Sequence, residues 1–258
     1  MHMLTISRGV VLIHYHGMPL SGSMGKANEF LTNRHAFVSH ASPECLPIVA
    51  ECSQSFALDN GAFSAWKAGK AVDWQGYYDW VDEWRFHPGF DWAVIPDVID
   101  GTPKDNDELI ARWPHKKTEG VPVWHFHEPI PRLVSLCGHW PRVALGSSGE
   151  WPTPGNDKWW DRVNEFMAKI TQCGRPVTKL HGLRMLDPEI FSRLPLSSAD
   201  STNAARNCGM TGAWKTYMPT TNIQRAEVIA ARVESWNSAA LWKGRPKEYS
   251  IFDLLETG

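Results

Sequence analysis

Residues 194–207 read LPLSSADSTNAARN: an apolar, strand-like stretch stops at a carboxylate, Asp200, and gives way to small, polar turn residues. Four other segments end the same way. They are ALDNGAFSAW (57–66) around Asp59, WAVIPDVIDG (92–101) around Asp97, VALGSSGEW (143–151) around Gly146 and KLHGLRML (179–186) around His181. In a barrel of alternating strands and helices, the C-terminal ends of the strands converge on one mouth, and the chemistry of such folds sits there. The repeated pattern therefore predicts a barrel, and it predicts an enzyme.

Short apolar runs suited to buried parallel strands recur at Val10–Ile13, Ala36–Val38, Phe56–Leu58, Trp92–Ile95, Val121–Phe126, Val143–Leu145, Val177–Leu180 and Leu196–Ala199, with a ninth at Thr216–Met218. Helical patterns lie between them. Asp73 can cap a helix that places Trp74, Tyr77, Tyr78, Val81 and Trp84 on one face, and NDKWWDRVNEFMAKI does the same with Trp160, Val163, Met167 and Ile170. Ser42-Pro43 and Asp187-Pro188 are cap-then-proline helix starts, and a late helix runs through Ile223, Ala226, Ile229, Ala230, Val233 and Trp236. Such alternation implies a parallel sheet with helices outside. No G-x-G-x-x-G follows an early strand, so a closed barrel is favoured over an open doubly wound sheet. The 258 residues (29.1 kDa) match one (β/α)8, TIM-type barrel, a single domain spanning the chain.

Composition narrows the partners. A net charge of -2 and a pI near 6.6 carry no global basic footprint, so a nucleic acid would have to be held by a local patch. No apolar run approaches the ~20 residues of a membrane span, and MHMLTISRGV lacks the layout of a secretory signal; a cytoplasmic location is expected. Five scattered cysteines without a C-x-x-C pair suit reduced thiols better than disulfides or a thiolate zinc site. The 14 tryptophans can serve as base-stacking platforms, but filling helix–barrel contacts is their plainer use.

A mouth holding Asp59, Asp97 and Asp200 has a definite repertoire. Two carboxylates astride a glycosidic bond can divide the work: one attacks the anomeric carbon, and the other protonates the leaving group and later takes a proton back. A third can accept two parallel hydrogen bonds from guanine, whose ring N–H lies beside its amino group. Taken singly, a strand-end Asp is usually a cap or turn residue, as expected for Asp100, Asp105 and Asp107. His14-Tyr-His16 and His125-Phe-His127 are H-x-H pairs, which on a strand point both imidazoles one way. They could bind a metal or merely hydrogen-bond in the pocket. Lys116, Lys117 and the Lys243/Arg245/Lys247 cluster read as solvated surface.

In this order and spacing the segments resemble those of the tRNA-guanine transglycosylases, in particular their phage relatives that insert 7-deazaguanines into DNA (the DpdA group). The likeness covers the functional edge from about Leu58 to Asn207. It implies that LDNGAF supplies the general acid/base Asp59, that IPDVIDGTP supplies the guanine reader Asp97, and that SADSTNAARN supplies the nucleophile Asp200 and a phosphate contact, Arg206. VPVWHFHEP would place His125 or His127 near the base carbonyl, ALGSSGE would hold that carbonyl with backbone amides around Gly146 and Ser147, and KLHGLRM would pack His181 and Gly182 over the base. The zinc subdomain of the tRNA-modifying members has no counterpart, which makes DNA a likelier polymer than tRNA. The resemblance thus implies exchange of guanine for a free 7-deazaguanine such as 7-cyano-7-deazaguanine, with no metal or other cofactor, in the host cytoplasm if the gene is a phage's. Two other readings stand beside it. One is an amidohydrolase-type metal hydrolase with His14, His16, His125 or His127 and Asp200 as ligands. The other is a non-catalytic purine- or sugar-binding barrel.

Overall fold

The computed structural model describes residues 11–245 except 22, 213 and 215–217. Its strands in chain order are β1 (Ile13–Gly17), β2 (His35–Ser39), β3 (Ser55–Asp59), β4 (Phe90–Val94), β5 (Gly120–Val121), β6 (Val123–His125), β7 (Arg142–Gly146), β8 (Thr171–Gln172), β9 (Arg175–Pro176), β10 (Lys179–Gly182) and β11 (Ser198–Ser201). β8 and β9 form a separate antiparallel hairpin, and the other nine form one parallel sheet in the order β5-β4-β3-β2-β1-β11-β10-β7-β6. Its two edges are consecutive in sequence. β5 pairs with β4, β6 pairs with β7, and only Pro122 separates them. Proline has no N–H to give a ladder, but the Pro122 carbonyl still accepts from Ala144 N at 2.9 Å. β5 and β6 are thus two halves of one stave, and the sheet closes as a barrel of eight.

Helices alternate with the staves, and several of their starts follow the capping signals. Asp73 accepts from Gly76 N ahead of the helix Trp74–Trp84, and Asn156 accepts from Trp159 N ahead of Asp157–Ile170. Thr102 and Asp105 make a capping box for Pro103–Ala111. Each such cap contributes about 1 kcal/mol. Asp187 caps the short helix Pro188–Phe191, whereas Ser42-Pro43 opens a 3-10 turn, Pro43–Cys45, without a side-chain cap. The late helix is Asn222–Glu234, and Trp236 stands exposed beyond its end.

The pleat sorts the side chains. Tyr15, Phe37, Ala57, Trp92, Val94, Val121, Val123 and Ala144 fill the lumen. Their neighbours, such as Val38, Leu58, Trp124 and Leu145, face the helices and join a larger core with Phe30, Tyr77, Trp159 and Phe166. Trp80, Trp92, Trp113, Trp124, Trp140, Trp159, Trp160 and Trp242 are buried, so packing is the main use of tryptophan here.

Several strands begin later than the apolar runs suggest. β1, β10 and β11 each extend past the apolar residues to include His14 and His16, His181, or Asp200. These polar residues interrupt the apolar pattern because each has a partner: His14 and His16 bond outward to the Trp236 carbonyl and Glu234, His181 meets Ser198, and Asp200 accepts from the Arg184 N–H in the cavity. Val10 and most of the Thr216–Met218 run fall outside the described residues, and Met218 itself is not in a strand.

Candidate active site

The staves end around a cavity of about 520 Å³ whose wall carries Asp59, Asp97, His125, Arg184, Asp200 and Arg206. A wider hollow of about 650 Å³ lies at the opposite end, lined by His139, Arg175 and Lys179 but by none of these carboxylates. Chemistry belongs at the strand C-termini in this fold, and the cavity there gathers three carboxylates, an imidazole and two guanidinium groups.

Asp59 closes β3, where the pleat turns it into the lumen. The chain then reverses through Gly61 at φ +77°, where a Cβ would come within 3.1 Å of Ala41 N; glycine suits both the left-handed backbone and the close approach. The Gly61 N–H donates to Asp59 Oδ2 at 3.3 Å. Burial, the strongest influence, together with the charges of Asp200 and Asp97, pushes the Asp59 carboxyl up to about 6 against the opposing Ser39 hydroxyl. This group can both hold and release a proton near neutrality.

Asp200 lies in β11, opposite Tyr15 of β1, and is buried. Its Oδ1 accepts from the Arg184 backbone N–H at 2.8 Å. His181 Nε2 is 3.3 Å from the same oxygen but is not aligned as a hydrogen bond. His181 Nδ1 meets Ser198 Oγ at 2.9 Å, and its ring packs on Trp92 at 4.7 Å between centroids. Burial drives its pKa below the usual imidazole value despite Asp200. His181 is thus a neutral support beneath Asp200. The expectation that His181 and Gly182 pack over a base is corrected: His181 points one layer deeper into the lumen, and a Cβ on Gly182 would strike Met185 and Leu196 at 2.8–2.9 Å. Leu183 and Arg184 line the cavity at that level.

Asp97 is buried just past β4, with Asn60 Nδ2 donating to Oδ1 at 2.6 Å and His125 Nε2 lying 2.8 Å from Oδ2. Asn60 also donates to the Ile95 carbonyl at 3.0 Å and caps Ala62 N at 2.8 Å, so it ties the β3 and β4 loops together. Behind them, buried Glu128 accepts from His125 N at 2.9 Å, Asn106 Nδ2 at 3.0 Å and Arg132 Nη1 at 2.6 Å. Asn106 Oδ1 takes the Val98 N–H at 2.7 Å. The loop bearing Asp97 and the strand bearing His125 are therefore clamped to one buried carboxylate.

Of the H-x-H pair at 125 and 127, only His125 lines the cavity. His127 stacks on it (5.7 Å between centroids, 17° between planes) but lies past the strand end and turns to Ser148 Oγ at 2.8 Å. Gly146 makes room for His125, whose Nδ1 would be 3.1 Å from a Cβ there. Ser147 lines the cavity, but its hydroxyl is engaged by Trp159 Nε1 at 2.9 Å. Arg206 stands exposed at the rim on the helix Asn203–Asn207.

The metal-hydrolase ligand set does not assemble. Tyr15 occupies the lumen, so His14 and His16 on either side of it point outward, to the Trp236 carbonyl at 3.2 Å and to Glu234 Oε1 at 2.9 Å. Among the described residues no group of three or more His, Cys, Asp and Glu is placed to hold a metal ion. Of the outlying cations, Lys117 reaches the His139 carbonyl at 3.2 Å, and Arg245 pairs with Asp157 and Asp161. Lys247 lies outside the described residues.

Sequence reading missed Asn60, Arg184, Asn106 and Glu128. The Asn60-Gly61 pair after a strand is a turn signal that points to the first. A bare Arg, Asn or Glu near a strand or helix end gives none for the others.

Among the described residues no helix is long and apolar enough to cross a membrane. No family model and no curated protein matches the sequence. Solved structures do match. A mutant tryptophan synthase alpha-subunit from the hyperthermophile Pyrococcus furiosus aligns with a TM-score of 0.50 at 14% identity, covering 88% of this chain and 97% of that one. A second mutant of the same subunit aligns over the same shares at 14% identity with a TM-score of 0.48. At such identity the likeness speaks for architecture alone: the chain is a single-domain α/β barrel of the TIM type.

Proposed function

We propose that the cavity exchanges a purine base on a nucleic acid, replacing guanine in DNA with a 7-deazaguanine through a covalent intermediate on Asp200. One observation carries the reading: two carboxylates share one cavity in unlike settings. Asp200 is fixed by the Arg184 N–H above the neutral His181, and Asp59 is raised to about 6. Pairs of carboxyl groups set apart in this way divide into nucleophile and acid/base. The resemblance of the surrounding segments to guanine transglycosylases supports the choice of a nucleobase as leaving group.

In the first half, an Asp200 oxygen forms a bond to C1′ of the nucleoside while the C1′–N9 bond breaks and its electron pair leaves with guanine, which takes the Asp59 proton. In the second half, ionised Asp59 removes the N9 proton of the incoming base, N9 attacks C1′, and the Asp200 carboxylate departs. The exchange is balanced without a redox or nucleotide cofactor. Asp97, with one lone pair on each oxygen beyond those taken by Asn60 and His125, can accept the paired donors of guanine. The absence of an inserted zinc subdomain favours DNA over tRNA, and such a reaction would run in the cytoplasm.

The test incubates the purified protein with labelled guanine or 7-cyano-7-deazaguanine and either duplex DNA or tRNA. Label should enter DNA, and a protein–DNA adduct should survive denaturing electrophoresis. Absence of both exchange and adduct on either polymer would overturn the reading.

A further inference from the structure

The side chain of Arg184 lines the cavity, yet neither the sequence pattern nor the proposed chemistry explains it. Its backbone sits at φ +58°, a left-handed conformation uncommon for a residue with a Cβ. Strain of this kind persists where the surroundings enforce it and clusters at functional sites. Here the conformation does two things at once: it aims the Arg184 N–H at Asp200 Oδ1 (2.8 Å) and sends the side chain along the cavity wall. The guanidinium lies over the Phe63 ring at 4.0 Å and donates one bond, from Nη2 to the Ser147 carbonyl at 3.3 Å. It makes no ion pair among the described residues, so most of its five donors remain unspent in a cavity that also holds Asp59, Asp97 and Asp200.

A phosphate is a poor occupant for that fork, because it would bring negative charge beside three carboxylates. A neutral pair of acceptors suits it better, and the adjacent O6 and N7 of guanine are the pair that arginine reads most often in nucleic acids. The neighbouring backbone of Gly146 and Ser147 is where the resemblance to guanine transglycosylases would put the base carbonyl. Asp97 and Arg184 would then grip the two edges of one ring. We propose that Arg184 selects the base by its O6/N7 edge, favouring rings with an acceptor at or on position 7 and rejecting those that carry a cation there. This inference rests on the base-exchange reading above. It implies that guanine qualifies through N7, that an incoming 7-deazaguanine qualifies only with an acceptor such as a nitrile on C7, and that a plain C7–H or an aminomethyl cation is disfavoured.

Calorimetry of free bases tests it. The wild-type protein should bind guanine and 7-cyano-7-deazaguanine at least about tenfold more tightly than 7-deazaguanine. The analogue with an aminomethyl group on the same carbon should bind most weakly. Arg184→Gly removes the fork and suits the left-handed backbone, so a folding defect is not expected to confuse the result. In that variant the preference for guanine and the nitrile over 7-deazaguanine should fall to near one, and the aminomethyl base, freed of the guanidinium but still facing the carboxylates, should gain affinity. Arg184→Lys keeps the charge but loses the fork, and it should still reject the aminomethyl base while no longer separating guanine from 7-deazaguanine. Ratios near one in the wild type, or ratios unchanged in Arg184→Gly, would overturn the selection role and leave base exchange standing. Failure of every base to bind, together with absent exchange on DNA and tRNA, would overturn both.

Discussion

At the scale of single residues, Asp59 shows how position becomes chemistry. Its carboxyl is raised to about 6 chiefly because burial penalises the charged form, and Asp200 and Asp97 add to this. The sign of the linkage follows. A carboxyl whose folded pKa lies above its unfolded ~4 adds stability in the protonated state, and that contribution is lost as pH rises toward and through 6. The full loss is on the order of 2–3 kcal/mol, an upper bound because the mouth admits water. Asp59→Asn should therefore match the wild type in urea unfolding near pH 4 and exceed it near pH 7.5; equal stability at both pH values would show that Asp59 is not raised. Asp200 gives a sharper test. Asp200→Ala and Asp200→Asn should both abolish base exchange with circular dichroism unchanged, since neither an apolar methyl nor a neutral amide can displace a base from an anomeric carbon. Near-normal exchange by either variant would remove Asp200 from the mechanism. For Asp97, replacement by Asn puts an N–H toward one of its partners, Asn60 or His125, or toward the ligand. Preference for guanine over adenine should narrow by roughly tenfold to hundredfold in competition with labelled bases. Full preference retained by Asp97→Asn would shift base reading to other groups on the wall.

At the scale of elements, the clamp behind the site sets the spacing of Asp97 and His125. Glu128 is 1% exposed and Arg132 9%, and the carboxylate takes bonds from the β6 backbone, from Asn106 and from Arg132. Removing one member of a buried charge pair costs about 3–5 kcal/mol, because the other is left unpaired in a poor solvent. Arg132 keeps Asp107 at 2.8 Å, which places Glu128→Ala at the low end, about 3 kcal/mol in urea unfolding. A loss below 1 kcal/mol would show that water replaces the carboxylate. This clamp also marks the limit of what the sequence discloses. Helix starts were legible because a cap acts over three residues, as at Asp73 and at Asn156. Strand cores were legible because Val, Ile, Leu and Trp cluster in short runs. The ends of β1, β10 and β11 were not, since the hydrogen-bonded polar residues His14, His16, His181 and Asp200 break the apolar pattern that marks a strand. Asp59, Asp97 and Asp200 could be found from their place after such runs. The outward turn of His14 and His16, the depth of His181 and the Asn106–Glu128 contact depend on which face a strand presents and on elements 22 residues apart, and local pattern carries neither.

At the scale of the whole molecule, closure of the sheet through the stave split at Pro122 brings residues more than a hundred positions apart onto one wall, and it leaves their charge surroundings sparse. The chain carries a net charge of -2, so attraction to a polyanion must come from the rim. Lys67 and Arg206 line the outer cavity, and Arg184 lies inside it among carboxylates. Each phosphate neutralised by such a cation releases condensed counterions, and on duplex DNA the slope of log K against log salt is about -0.9 per contact. Two rim contacts predict a slope of about -1.8, far shallower than that of proteins that grip DNA along a broad basic face. Fluorescence anisotropy of a labelled duplex between about 50 and 200 mM salt measures the slope directly. Lys67→Ala and Arg206→Ala should each reduce its magnitude by about 0.9, with little change in base preference, because phosphate contacts position a duplex without reading it. A slope of about -6 or steeper, unchanged in both variants, would place the nucleic acid on another face and separate the cavity from its presumed polymer.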